Sequence, residues 1–146
     1  MSAFMLNHKK TCPSAEEADR AEKLREVFEA LSEVNKLVPV IVEGKRDAEA
    51  LRRLGLAGKI ITFHSGKPVY EFCEDIAEKY DRVVLLLDWD STGETLQREL
   101  GGNLLGQWEE FSAFRELIKI LCQKDIMFVE GIPKLLRRLE GDGLAV

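Results

Sequence analysis

The chain has 146 residues, 45% of them hydrophobic, with 21 lysines and arginines against 26 aspartates and glutamates for a net charge of −5. That composition fits one folded unit with a full apolar core and excludes wholesale disorder. The acidic balance argues against a protein that coats nucleic acid through Lys and Arg, although an acidic cation site reverses its local charge once loaded.

Residues 1–13 end in Thr11-Cys12-Pro13 and show no periodic pattern, so they read as a tail. No apolar stretch comes after Lys9 and Lys10, so no secretory signal is expected, and no apolar run approaches the roughly 20 residues that span a bilayer. Ser14, with Glu17 three residues on, has capping-box spacing and opens a helix. Ala21, Leu24, Val27, Phe28, Leu31 and Val34 then recur at steps of three and four. This amphipathic helix is expected to dock on the sheet domain through Leu24, Val27, Phe28 and Leu31.

Val38-Pro39-Val40-Ile41-Val42 is continuously apolar and β-branched, as in a strand buried on both faces of a parallel sheet. A helix is predicted over 46–54, ended by Gly55, then a strand over 59–63. A second helix over 67–80 shows Val69, Phe72, Cys73, Ile76 and Ala77 on one face. A third strand covers 82–87. A short helix over 93–100 is expected to break at Gly101-Gly102. Phe111, Phe114, Leu117, Ile118 and Leu121 mark another helix. A fourth strand is predicted over 126–129 and a last helix over 133–139, with Pro133 in its first turn. Residues 1–37 thus form a tail and helix, 38–140 an α/β unit, and 141–146 a C-terminal tail.

Alternating strands and helices give a doubly wound, mostly parallel sheet of four strands flanked by helices. Ligands of such sheets bind beyond the C-terminal strand ends, near the point where strand order reverses. The first strand ends in Glu43-Gly44-Lys45-Arg46-Asp47 and the third in Asp88-Trp89-Asp90-Ser91-Thr92-Gly93. Asp88 and Asp90 are two apart, so in extended chain they point to one side. Neighbouring strands lie about 4.8 Å apart, so Glu43 can meet the same ion. Three carboxylates at one sheet edge suit magnesium or manganese. His8 and His64, without paired cysteines, do not suit zinc. Taken singly, each acid has a plainer role: Asp88 and Asp90 in a turn, Ser91 with Glu94 as a cap, Glu43 paired with Lys45, Asp47 at a helix N-terminus.

Ile41-Val42-Glu43-Gly44-Lys45-Arg46-Asp47 resembles the first Toprim motif, a strand ending in Glu-Gly followed by an acid. Leu86-Leu87-Asp88-Trp89-Asp90-Ser91-Thr92-Gly93 resembles the second, an Asp-x-Asp followed by Gly. Toprim is the domain shared by topoisomerases, bacterial-type primases and several nucleases, and its fold is Rossmann-like. The resemblance spans residues 38–140 and is nearest to small stand-alone Toprim proteins of archaea and some bacteria. It implies that Glu43 is a catalytic acid or base and a metal ligand, and that Asp88 and Asp90 hold Mg2+ or Mn2+. Gly44, Lys45, Asp47 and Gly93 become supporting residues, with Lys45 near a phosphate and Asp47 orienting it.

A topoisomerase needs an active-site tyrosine, and Tyr70 and Tyr80 both sit in the second helix at packing positions. A primase needs further domains. What remains is metal-dependent cleavage or processing of a nucleic-acid phosphodiester, RNA ahead of DNA. The alternative is a noncatalytic module that binds nucleic acid or a protein partner. Asp88-Trp89-Asp90-Ser91-Thr92 also resembles the haloacid-dehalogenase phosphatases, but that family places this strand first and needs a later paired acid, whereas Asp125 stands alone. A P-loop at Gly44-Lys45 fails, because Pro39 and Arg46 occupy required positions.

Weaker signals are Gly66, read as a turn residue, and His64, read as a rim residue. Arg46, Arg52, Arg53, Lys59, Arg137 and Arg138 are locally basic. Glu130-Gly131 repeats the Glu-Gly strand ending on the site side. Three scattered cysteines give neither a disulfide framework nor a zinc site; Cys73 and Cys122 read as core residues, and a reducing cytoplasm is expected.

Overall fold

The computed structural model describes residues 12–63 and 66–141. The tail read over 1–13, apart from Cys12 and Pro13, lies outside them, as do His8, His64, Ser65 and the C-terminal tail beyond Gly141. The elements in chain order are α1 (Ala15–Asn35), β1 (Val40–Val42), α2 (Lys45–Arg53), β2 (Ile60–Thr62), α3 (Val69–Lys79), β3 (Val84–Leu85), α4 (Ser91–Asn103), α5 (Ser112–Cys122) and α6 (Ile132–Glu140). Single 3-10 turns, Glu109–Phe111 and Val129–Gly131, precede α5 and α6.

The sheet has the order β2-β1-β3 and is parallel throughout. Val40 pairs with both Ile60 and Val84, and Ile41 with both Ile61 and Leu85. The α/β class, the parallel sheet, the flanking helices and the N-terminal helix all agree with the sequence reading. Each strand alternates between two cores, as a period of two requires. Val40, Val42, Val84 and Leu86 face α1, α2, α5 and α6. Ile41, Leu85 and Leu87 face α3 and α4, against Phe72, Ile76, Leu96 and Leu100. The chain steps outward from β1 to β2 through α2, then back past β1 to β3 through α3. Crossovers of one hand taken in opposite directions put their helices on opposite faces. The ends of β1 and β3 therefore flank the reversal in strand order.

The fourth strand expected over 126–129 does not form. One backbone bond joins the two segments, from the Trp89 amide to the Met127 carbonyl. The neighbouring positions are taken by side chains. The Trp89 indole N–H donates to the Ile126 carbonyl at 3.1 Å, and the Val129 amide donates to Asp88 Oδ1 at 2.9 Å. Side chains of the loop after β3 thus substitute for the ladder that a fourth strand would have needed.

The break expected at Gly101-Gly102 is also absent, and α4 runs on to Asn103. Gly101 serves packing instead. A β-carbon there would stand 2.9 Å from Trp108 Cζ2, and the Trp108 indole N–H donates to the Gly101 carbonyl at 3.0 Å.

At α1 both bonds of the capping box are made, Glu17 N–H to Ser14 Oγ and Ser14 N–H to Glu17 Oε1, each 3.0 Å. Ala21, Leu24, Phe28 and Leu31 are buried in the core that holds Val40 and Val84, with Val27 and Val34 packed beside them. At the end of α1, buried Asn35 donates to the carbonyls of Val38 and Lys59 and accepts the Gly58 amide at 2.8 Å. One side chain thereby ties the helix to the starts of both β1 and β2. Cys73 and Cys122 are buried core residues, and desolvation pushes their thiols up to about 11 and about 12.

Candidate metal centre

The site is assembled where β1 and β3 end. Glu43 comes directly after β1, and Asp88 comes after the extension of β3, whose Leu86 amide still bonds to the Ile41 carbonyl. Both carboxyls are half-buried. Burial raises the Asp88 carboxyl from its ordinary value to about 6; the Val129 amide pulls against this, and nearby Glu43 and Asp90 push the same way. Among the described residues Glu43 Oε1 is buried and meets no hydrogen-bond donor, while the Glu43 and Asp88 carboxyls lie within hydrogen-bonding reach of each other. A buried acceptor without a donor is costly, and here it sits against a second carboxyl.

Asp47 joins the same group from α2. It is buried at 7% exposure, and its Oδ2 accepts the Gly44 amide at 3.0 Å, capping the helix. Its carboxyl is also raised to about 6, first by desolvation and then by the charge of Asp88; Glu130 contributes a smaller push, while the Gly44 and Glu130 amides oppose it. Asp47 therefore orders the Glu-Gly turn and adds to the acidity of the site.

Asp90 is placed differently. It remains extended, so that Trp89 points into the core, but its Oδ1 accepts the Gly93 amide at 2.7 Å and caps α4. Asp90, and not Ser91, is the N-cap. Among the described residues no three of these side chains converge on a single point.

Two glycines have different reasons. Gly93 lets the first turn of α4 sit against the backbone of Asp88. Gly44 has no such need: its φ of −144° is open to any residue, and a β-carbon would meet nothing nearer than Asp47 Oδ2 at 3.9 Å. The space beside Gly44 is therefore open to an incoming group.

Arg115 is the structural residue that the sequence reading passed over. It is buried at 3% exposure. Its Nε donates to the Leu87 carbonyl at 2.8 Å, its Nη2 to the Asp88 carbonyl, and its Nη1 lies 3.4 Å from Glu94 Oε1. It fixes the backbone on which Asp88 stands. The signal was present: Arg115 lies four residues after Phe111 and three before Ile118, on the apolar stripe of its helix.

Lys45 is exposed beside the site, as is Arg46, whose guanidinium lies 3.7 Å from Glu130. Glu130 stands on a 3-10 turn and not at a strand end. Arg137 and Arg138 lie on α6, where Arg138 pairs with Asp125 at 3.2 Å. No helix of the described residues is long and apolar enough to cross a membrane.

The description of the Toprim domain matches residues 38–118. The chain belongs to the Toprim family. Its likeness extends to UPF0292 proteins of archaea. One from Thermoplasma volcanium is 39% identical over 72 residues, 49% of this chain and 60% of the relative. One from Methanosarcina barkeri is 33% identical over 123 residues, 82% and 85%. A solved structure of a protein from Aquifex aeolicus has a TM-score of 0.60 at 26% identity, covering 72% of this chain and 94% of that one. The resemblance to small stand-alone Toprim proteins thus holds. As a Toprim domain the chain is a nucleic-acid-related, metal-binding type of module; Toprim domains in general bind Mg2+ through acidic residues.

The acids of this Toprim domain suit that ion chemically. They offer oxygen only, which hard divalent cations prefer, and Mg2+ keeps several waters beside one or two carboxylates. Glu43 has an oxygen without a donor, and Asp88 is destabilised as an anion by burial and neighbouring carboxylates; a cation would relieve both.

Proposed function

We propose that this Toprim protein is a Mg2+-dependent enzyme, also served by Mn2+, that cleaves or processes nucleic-acid phosphodiesters in the cytoplasm, with RNA ahead of DNA. The observation that carries the reading is the enforced pairing of Glu43 and Asp88 at the sheet's reversal point, with one oxygen of Glu43 buried and unbonded. Glu43 and Asp88 would hold the ion, joined by Asp90. A bound divalent cation supplies charge neutralisation for the phosphoryl oxygens.

The chain's own residues supply the rest. Glu43 is the group that moves a proton, a role worth about 10² to 10⁴ in rate. Lys45, exposed at the start of α2, meets a phosphate from outside. The open space at Gly44 admits a phosphate close to the backbone. Asp47 keeps the turn between them in place.

A second reading has its own support: Asp90 is engaged as the cap of α4, and the net charge is negative. On it the protein binds nucleic acid or a protein partner without turning over. Incubation of structured RNAs, single strands and duplexes with Mg2+ or Mn2+ separates the two. Cleavage that chelation abolishes supports the enzyme. Metal-dependent binding with no product on any substrate supports the module.

A further inference from the structure

An open cleft of about 540 Å3 begins at Glu43 and is lined by Phe63, Thr92, Thr95, Leu96 and Glu99. It runs from the end of β2 along the first turns of α4. Among the described residues that line it, both charged groups, Glu43 and Glu99, are acids, and none is Lys or Arg. Phosphate recognition needs cationic or N–H donors, so a phosphate is turned away from its interior. The uncharged wall is of another kind. Phe63 is held edge-on against Phe72, with centroids 5.1 Å apart and planes at 89°, so its ring orientation is fixed. Leu96 is buried beneath, and Thr92 and Thr95 are exposed; the Thr92 hydroxyl is able to donate and accept, while the Thr95 hydroxyl donates to the Ser91 carbonyl at 3.1 Å and keeps acceptor capacity.

A fixed aromatic ring, an aliphatic floor and hydroxyls suit a flat, neutral, hydrogen-bonding group. Resting on the proposed function, we propose that this cleft receives the unpaired base of the nucleotide flanking the phosphate at Glu43 and Asp88. The protein then takes its nucleic acid as a single strand at that position. The phosphate stays at the mouth, while the base goes to the wall formed by Phe63, Leu96 and the two threonines. A base lodged against Phe63 has left its stack and its pairing partner. Contact with an aromatic ring tolerates any base, so little sequence preference is expected.

The test uses the whole protein with Mg2+ and oligonucleotides carrying 2-aminopurine, in RNA and DNA, as single strands and as blunt duplexes of the same sequence. Single strands should bind roughly tenfold more tightly than duplexes, with the fluorescence change confined to one position of the strand. Phe63→Ala and Thr95→Trp should each weaken single-strand binding roughly tenfold, the usual scale of losing one stacked base, and leave Mg2+ affinity unchanged. Thr95→Trp fills the cleft from an exposed position, so it decides the matter even if Phe63→Ala loses its packing on Phe72 and fails to fold. Equal affinity for duplex and single strand, or a Thr95→Trp protein that binds as wild type, overturns the assignment of the cleft and leaves the proposed function standing. Mg2+ binding without affinity for any of these nucleic acids overturns both.

Discussion

Gly93 lies so close to Asp88 that a β-carbon on it would stand 2.2 Å from the Asp88 carbonyl oxygen and 2.9 Å from the Asp88 β-carbon. The obstacle is mainly backbone, which cannot swing aside as a flexible side chain can. Gly93→Ala must therefore push α4 away from the end of β3. A loss of about 1–3 kcal/mol, the usual cost of overpacking, is expected in chemical denaturation. Metal affinity should fall with it, because Asp88 and Asp90 move relative to Glu43. A Gly93→Ala protein with unchanged stability would show that this approach is not required.

Arg115 should prove equally sensitive. Its guanidinium serves two carbonyls and Glu94 from a buried position, a fork that Lys cannot reproduce. Arg115→Lys is expected to destabilise the fold, and Arg115→Met to cost about 3 kcal/mol or more, since buried acceptors lose their donors. Urea titration of the two variants measures this. If Arg115→Met matches the wild type, the carbonyls of Leu87 and Asp88 do not depend on it.

Stability should respond to pH in an unusual direction. Asp88 and Asp47 both have folded values near 6 against an ordinary 3.8. The folded state therefore binds these protons more tightly than the unfolded chain does. The penalty is complete above about pH 6 and is relieved as pH falls from there towards 3.8. Without metal, Tm should rise between about pH 7.5 and pH 5. At lower pH it should fall again, as groups such as Glu140, held low by its bond to Arg25, lose their ion pairs. Asp88→Asn keeps an acceptor for the Val129 amide and should flatten much of the rise. Saturating Mg2+ should oppose it, because cation binding requires the carboxylates. A Tm that drops steadily from pH 7.5 downward in the metal-free protein would contradict the electrostatics of the site.

The N-terminal helix is part of the core and not an arm. Phe28 is 2% exposed, Leu24 and Leu31 are fully buried, and Arg20 bonds the Leu121 carbonyl and Asp125 across the interface. Phe28→Ala should cost about 3–5 kcal/mol, and removal of residues 1–36 should lower Tm markedly. An unchanged Tm after that truncation would show the helix to fold and function apart from the sheet.

Much of this was legible in the chain itself. The runs around Val40–Val42 and 84–87 are apolar at every position because helices cover both faces of each of these parallel strands, so their strand character and burial could be read together. The acids at their ends could be found because ligand sites in such sheets lie at strand ends. The fourth strand was not legible, since 126–129 has a strand's composition. What denies it a ladder is the Asp88 carboxylate and the Trp89 indole, and that competition is tertiary. Gly101 looked like a breaker because its partner, Trp108, is beyond the helix. By spacing Asp90 reads as a ligand or a turn residue and Ser91 as the cap; the Gly93 amide bonds to Asp90 instead, a choice that spacing does not reveal. Arg115 was hidden by the ordinary expectation that an Arg in an amphipathic helix faces water.

The central proposal is that Glu43 and Asp88 hold one cation and that Asp90 joins them. Calorimetric titration of Mg2+ and Mn2+ into the wild type, Glu43→Gln, Asp88→Asn and Asp90→Asn tests it most directly. Asn keeps the cap at position 90, since Asn and Asp cap helices about equally well, so each variant should remain folded. The wild type should bind one ion. Asp88→Asn and Asp90→Asn should lose most of the affinity, and Glu43→Gln should weaken it less while abolishing more of any turnover. If all three folded variants bind metal as the wild type does, the site is elsewhere, and Asp88 and Asp90 serve only the Val129 amide and the cap of α4.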